Sequence, residues 1–574
     1  MKFISVAIAS ALVLSSTVVD AKTWLFPIPQ SIEWTGSTAA LARNFKIRGA
    51  QHDHVQSAAQ RYVNLIYKEK WTPVQVAYDN ETLSDAKDAL TSLDISVKDN
   101  NVALDFGVDE SYTLDVPSSG GKASLSAATW VGALRGLETF SQLVVSSSSS
   151  KKGNLVVHTA HIEDEPSFPH RGVMLDTARN YFPVDDILRT IDAMSYNKMN
   201  VFHWHATDAQ SWPLQFKSHP ELHETGAYSS NEVYTPEDVQ KIIDYAQARG
   251  VRVVLEIDMP AHTGIIAESH PDYIIGYDHF WNGIAAEPPS GQIDLLNDDA
   301  WQLVKDIVKE GTERFADSFY HTGGDEINAK AYELSEDFVK YTKEHNMTTN
   351  EVWFEWTNKL VDYVNKDLKK RPVMWEDPIR DGGDVSKETV VQVWTAPPQN
   401  YTRIGHDVII STSDYFYLDC GNGGWLGNDD RYISPTQQPT DEDTLNYGGN
   451  GGSWCAPYKT WQRMYTFDPN YDIPEDSPGK ILGIEVAFWT EQGGPSVLDS
   501  KLWPRSGAAA EITWSGAYDK DGNRRTLRDA LPRISDWGYH LAARGIATQP
   551  LQPRWCLRHP EMCNLNDPSS SSDN

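Results

Sequence analysis

Ser318–Glu326, SFYHTGGDE, is the stretch on which the rest of the chain turns. An apolar pair, Phe319-Tyr320, leads through His321 and Thr322 into Gly323-Gly324 and then into adjacent acids, Asp325 and Glu326. Paired glycines allow a sharp turn or a close approach of backbone to a ligand. Two carboxylates side by side cannot both ionise easily, so one is expected to titrate high, which suits a general acid at mildly acidic pH. An Asp-Glu pair after a strand is, taken alone, usually a solvated turn. What sets this one apart is that the same arrangement recurs along the chain.

Upstream, Gly172–Asp176, Asn200–Ala206 and Val251–Ile257 are apolar runs of strand length, and helical patterns separate them. Val184, Ile187, Leu188, Ile191 and Met194 recur at helical spacing. Thr235-Pro236-Glu237-Asp238 reads as a cap and first turn, with Gly250 as a stop. Downstream, Pro372–Glu376, Thr389–Trp394, Val408–Tyr417 and Ile481–Trp489 complete eight strands, and Arg505–Trp514 is a closing helix. This order predicts an α/β fold, a (β/α)8 TIM barrel, in which chemistry collects at the C-terminal strand ends. Polar residues do follow the apolar runs in that phase: Asp176 and Arg179, Asp208, Asp258 and His262, Asp325 and Glu326, Trp375 and Glu376, Trp394, Tyr417 and Asp419, Trp489 and Glu491.

The 574 residues suffice for two or three domains. Residues 1–21 read as a secretory leader, Lys2 followed by a short apolar stretch and small residues to Ala21, which predicts a secreted, extracellular protein with no membrane span. Residues 22–165 mix helix and strand patterns without a cluster of acids or aromatics, and predict a smaller α+β domain. Glu163–Pro166 reads as a linker to the barrel at 166–565, and the Ser/Asp-rich residues 566–574 as a disordered tail. Sequons at Asn80, Asn346 and Asn400 fit a glycoprotein.

For Cys420, Cys455, Cys556 and Cys563 the simplest pairing is Cys420–Cys455 and Cys556–Cys563, two local loops, with two other connectivities open. Their spacing is poor for zinc, and no metal site is expected. A net charge of −30 repels nucleic acid and anionic membrane but not a neutral ligand. Twenty tryptophans are mostly core, yet some suit stacking on sugar faces. The Gly/Asn/Asp-rich loop from Gly421 to Ser453 is expected to be a lid over the barrel mouth, carrying Trp425.

The runs His170-Arg171-Gly172, Asp176-Thr177-Ala178-Arg179, His203-Trp204-His205, Met259-Pro260-Ala261-His262, His321–Glu326 and Trp503-Pro504-Arg505 resemble glycoside hydrolase family 20 over the whole mature chain, in its secreted fungal branch. The resemblance implies an exo-acting β-N-acetylhexosaminidase acting on terminal β-linked GlcNAc or GalNAc of chitooligosaccharides and glycans. It implies no cofactor, and it points to a homodimer. In that reading Glu326 is the acid and then the base, while the substrate's own acetamido oxygen is the nucleophile. Asp325 would hold the acetamido N–H and Tyr417 would donate to its oxygen. His262 would bond Glu326, with Asp258 orienting the imidazole. Arg179, Asp208, Asp419 and Glu491 would bind sugar hydroxyls, and Trp375, Trp394 and Trp489 would line the pocket, Trp489 as its floor. An internal nucleophile can reach an effective molarity of ~10⁵ M. Ala209 stands where some members carry a second acid, and an acid at Asp419 favours neutral over sulfated sugars.

Three other readings compete. An endo-chitinase expects Asp-x-x-Asp-x-Asp-x-Glu at the fourth strand, and that run is absent. A catalytically inactive GlcNAc-binding, lectin-like protein would have lost its acid, yet Asp325, Glu326 and Tyr417 are all present. A metal-dependent hydrolase lacks a coherent ligand set.

Overall fold

The computed structural model describes residues 24–74, 84–146 and 154–565, apart from positions 278, 280–282, 286, 290 and 426–452. The leader, the Asn80 sequon, most of the loop between Cys420 and Cys455, and residues 566–574 fall outside the described residues.

The N-terminal part is a seven-stranded mixed sheet running from Ser31–Arg48 to Leu155–Asp164, with its own apolar core. Helix Trp130–Leu143 starts where the Thr129 hydroxyl accepts the N–H groups of Val131 and Gly132, and it is buried along its whole length. Such burial fits a helix sandwiched between layers. Its polar residues are satisfied across the junction: Arg135 donates to the Arg249 and Gly250 carbonyls of the barrel, and Glu138 pairs with Arg544. Glu163 and Asp164, expected to be linker, instead end the last strand of this sheet. Asp164 is buried because it accepts from Tyr112, Lys198 and Trp514, so its charge anchors the junction. Beside it, Glu110 accepts from Arg135, Arg171 and Asn200. Arg171 is therefore a junction residue.

The barrel is closed by eight parallel strands. They are β1 (His170–Asp176), β2 (Val201–His205), β3 (Arg252–Glu256), β4 (Phe319–His321), β5 (Arg371–Trp375), β6 (Val390–Val393), β7 (Val408–Ile410) and β8 (Ile481–Phe488). Alternation along each strand sends one set of side chains out to the helices and the other into the barrel. On β2, Phe202 and Trp204 join the outer core while Val201, His203 and His205 face inward. The expected strand Val408–Tyr417 is shorter than the sequence pattern predicts. It stops at Ile410, Ser413–Phe416 forms a helical turn, and Tyr417 then bridges to Ala487. The turn is closed by backbone bonds from Tyr415 and Phe416 to the Thr412 carbonyl, while the Ser411 hydroxyl donates across to the Glu485 carbonyl of β8. The closing helix spans Arg505–Ser515.

The structure pairs Cys420 with Cys455 and Cys556 with Cys563, at Cα separations of 5.2 and 5.7 Å. Asn346 and Asn400 are exposed, Asn346 in the left-handed conformation that ends helix Glu336–His345.

Candidate active site

The glycines after β4 are required by their neighbours. A Cβ on Gly323 would lie 1.7 Å from the Asp258 carboxylate, and its φ of +65° is one that side chains rarely adopt. Gly324 N–H donates to Asp258 Oδ1 at 2.9 Å. The loop after β3 and the turn after β4 are thus locked together, and the turn delivers Asp325 and Glu326 to the barrel mouth. Glu326 and His262 both have φ of 57°, uncommon for residues with a Cβ and typical of functional sites.

Over the mouth lies a cavity of about 460 Å³. Ten of the residues singled out in the sequence line it: Arg179, His262, Asp325, Glu326, Trp394, Tyr417, Asp419, Trp425, Trp489 and Glu491. Trp489 forms one wall, with the Arg179 guanidinium 5.1 Å from its ring centroid and Tyr417 edge-on at 6.1 Å. Trp454 closes the box, 5.6 Å from Trp394 and 6.0 Å from Tyr417 between ring centroids. Asp325 Oδ1 and Asp419 Oδ1 are buried acceptors without a partner among the described residues. Buried polar atoms are nearly always satisfied, so these two point to a ligand with donors.

Three expected pocket residues sit elsewhere. Trp375 is fully buried, its indole N–H donating to Glu256 at 2.8 Å; it packs 5.9 Å from Trp489 beneath the pocket. Asp208 is also buried, and its oxygens are committed to Arg179 at 2.7 Å, His205 at 2.8 Å, His262 at 3.2 Å and the Ala209 N–H at 2.6 Å, so its four lone-pair positions are all engaged within the protein. Asp258 does not orient His262. That partner is Asp208, on Nδ1, because the left-handed backbone at His262 swings the ring across to β2. Asp258 faces Asp325 instead.

The charges follow from this geometry. Burial and then Asp258 push the Asp325 carboxyl well above its ordinary range, and burial lifts Asp258 to about 6. Burial alone would raise Glu326 as well, but the His262 imidazole 3.4 Å away bonds it and holds it below the usual value. Of the adjacent acids, the one that rises is therefore Asp325, not the proton donor expected from the sequence. His262 is held well above its ordinary range, because the Asp208 and Asp258 charges outweigh its burial. Tyr417 is raised by burial and Asp325, so it stays a hydroxyl donor. Burial lifts Asp419 to about 7. Its charge is thus only partly present near neutral pH, which narrows the expected preference for neutral substrates.

Some lining residues carried no signal in the sequence. Glu287, in the long loop after β3, reaches Arg179 at 3.5 Å. Asp377 fixes the site from behind, accepting the Trp394 indole N–H at 2.7 Å and the Glu326 N–H at 3.3 Å. Among the described residues, His203, Glu256 and His321 inside the barrel and His219, Glu221 and His270 at the surface have donor atoms close enough to share a metal ion. The disulfide Cys420–Cys455 lies directly behind Tyr417 and Asp419, and packs with Tyr417, Trp394 and Trp489. Titration with a reductant is expected to abolish turnover before it lowers the melting temperature of the barrel. Coincident loss of both would make the staple purely structural.

The profile described as "Glycosyl hydrolase family 20, catalytic domain" matches residues 168–517. The chain belongs to glycosyl hydrolase family 20. A second profile, "beta-acetyl hexosaminidase like", matches residues 25–143 of the N-terminal sheet region. The family chain is 36% identical to "Beta-hexosaminidase 1" of Coccidioides posadasii, over 98% of this chain and 99% of that protein. It is 33% identical to the "Chitooligosaccharidolytic beta-N-acetylglucosaminidase" of Bombyx mori, over 81% and 77% of the two chains. Among solved structures, Flavobacterium johnsoniae chitobiase superposes with a TM-score of 0.71 at 26% identity, covering 91% of this chain and 73% of that one. The fold class read from strand spacing, a TIM barrel behind a smaller α+β domain, is the fold of this family member.

Proposed function

We propose that this family 20 protein is a secreted exo-β-N-acetylhexosaminidase that removes terminal β-linked GlcNAc or GalNAc, with retention, through attack by the substrate's own acetamido group. One observation carries the reading: a buried, unpartnered Asp325 oxygen shares an aromatic-walled cavity with the Tyr417 hydroxyl and with Glu326. The named relatives support the substrate class.

Asp325 accepts the acetamido N–H, and Tyr417 donates to the acetamido oxygen and aims it at the anomeric carbon. The Asp325 anion is costly in the empty pocket, because it is buried beside Asp258. That cost is relieved as positive charge develops on the oxazolinium ring. The carboxylate is therefore stabilised more in the transition state than in the ground state, which is what accelerates a reaction. Glu326 protonates the leaving oxygen, receiving the proton that its pair with His262 shares, and then takes a proton from the incoming water. Arg179 and Glu491 meet the hydroxyls on the far side of the ring, and Trp489 stacks beneath it. The test is hydrolysis of chitobiose followed by NMR from the first turnover. The sugar from the non-reducing end is expected as the β anomer; an initial α anomer refutes double displacement.

A further inference from the structure

Barrel interiors are usually layers of bulky branched side chains. Here only the lowest layer is, with Val201, Val254, Phe319, Val373, Val390, Ile409 and Leu482. Above it lies a buried layer built around two carboxylates, Glu256 and Glu485, interleaved with His203 and His205. Carboxylates are costly there unless fully paired, and these are.

The contacts form one line of acid–imidazole pairs, hydrogen-bonded at every step except His203 Nε2 to Glu256 and His262 Nε2 to Glu326, which are ion pairs. Glu485 meets His203 Nδ1 at 2.6 Å, and His203 Nε2 meets Glu256 at 2.9 Å. The same Glu256 oxygen accepts from His205 Nδ1 at 2.6 Å, and His205 Nε2 bonds Asp208 at 2.8 Å. Asp208 holds His262 Nδ1 at 3.2 Å, and His262 Nε2 faces Glu326 at 3.4 Å. Acid and imidazole alternate from the middle of the barrel to the proton donor.

We propose that Glu256 and His205 are positioning residues for the reaction: acting through Asp208 and His262, they set the upper limit of the pH range in which Glu326 works. The proposal rests on Glu326 being the general acid. His205 is clamped between two carboxylates, so both its nitrogens donate. That keeps Asp208 ionised and turned toward His262. Burial opposes the charge on His205, but Glu256 and Asp208 outweigh it and hold the imidazolium well above the ordinary histidine range; Glu485 and Glu256 lift His203 to about 9 in the same way. The other groups facing this line are His321 of β4 and the Trp375 indole of β5, both on Glu256, and Gln392 of β6 on Glu485. Asp258 stands beyond β3, Arg179 pairs with Asp208, and His170 of β1 pairs with Glu485.

Glu256→Gln keeps the shape and removes one of the two counter-ions of each imidazolium group. His205, left with Asp208 as its one carboxylate, then gives up its Nδ1 proton at lower pH; Asp208 keeps the Nε2–H but loses the positive charge that held it ionised and turned toward His262, and the hold on His262 weakens. The basic limb of kcat/KM for chitobiose, which reports groups of the free enzyme, is expected to move down by about one pH unit or more, with the acid side little changed. Glu485→Gln, one imidazole further away, shifts the limb the same way by less. A folded Glu256→Gln whose activity is scaled equally at every pH overturns the proposal; if that variant does not fold, an unmoved limb in Glu485→Gln overturns it. Glu326→Gln measured alongside separates the two readings. If it retains chitobiose turnover, the acid assignment fails and the proposal with it. If it loses turnover while the Glu256→Gln limb stays in place, only the positioning role fails.

Discussion

Glu326→Gln is expected to lower kcat on chitobiose by about 10²–10⁴-fold, the usual contribution of a positioned general acid. The reducing-end GlcNAc of chitobiose is a poor alkoxide-type leaving group and depends on that proton, whereas the acidic phenol of an aryl glycoside leaves without it. The variant should therefore lose far less on the first step with the aryl substrate. Sugar binding should persist, because the box of Trp394, Tyr417, Trp454 and Trp489 and the Arg179 guanidinium do not involve the Glu326 carboxylate. The kcat/KM values on the two substrates, which report the first step, with calorimetric binding of GlcNAc, check this. Equal losses on both substrates would remove Glu326 from the acid role.

Asp325→Asn should be as damaging for a different reason. The amide still offers an oxygen to the acetamido N–H, but no charge to oppose the oxazolinium ring. Removing one preorganised electrostatic partner typically costs about 10²–10³ in kcat. The partner here is buried between Asp258 and Asp377, so little solvent can replace it. Wild-type enzyme should also leave plain β-glucosides uncleaved, because they carry no nucleophile of their own. Measured turnover of a glucoside comparable to that of an N-acetylglucosaminide would rule out internal attack.

Much of this site was legible in the sequence because a parallel barrel puts its chemistry at strand ends, and strand ends can be counted. Gly323-Gly324 was readable as a forced close approach, although what approaches, the Asp258 carboxylate, lies 66 residues away along the contact Gly324 makes. Linear proximity misled at the same place. Asp258 is four residues from His262, yet a left-handed φ at His262 hands the imidazole to Asp208 in the loop after β2. Trp375 has the composition of a pocket wall and the burial of a core residue, and only the third dimension separates the two. Glu256 was hidden for the opposite reason: inside an apolar run it reads as one polar interruption, and its imidazole partners come from another strand. Glu287 sits in a loop with no periodicity, where sequence pattern carries no information about direction.

The two buried arginines that meet Glu110 have a further consequence for how the chain can be shortened. Arg171 lies on the first barrel strand, yet its counter-ion is Glu110, in a loop of the N-terminal domain, and the Lys198 ammonium likewise relies on Asp164. Breaking a buried pair by deleting one member typically destabilises by about 3–5 kcal/mol, since the other charge is stranded. A catalytic barrel excised at residue 166 would keep every group that touches the sugar and still lack the ground it stands on.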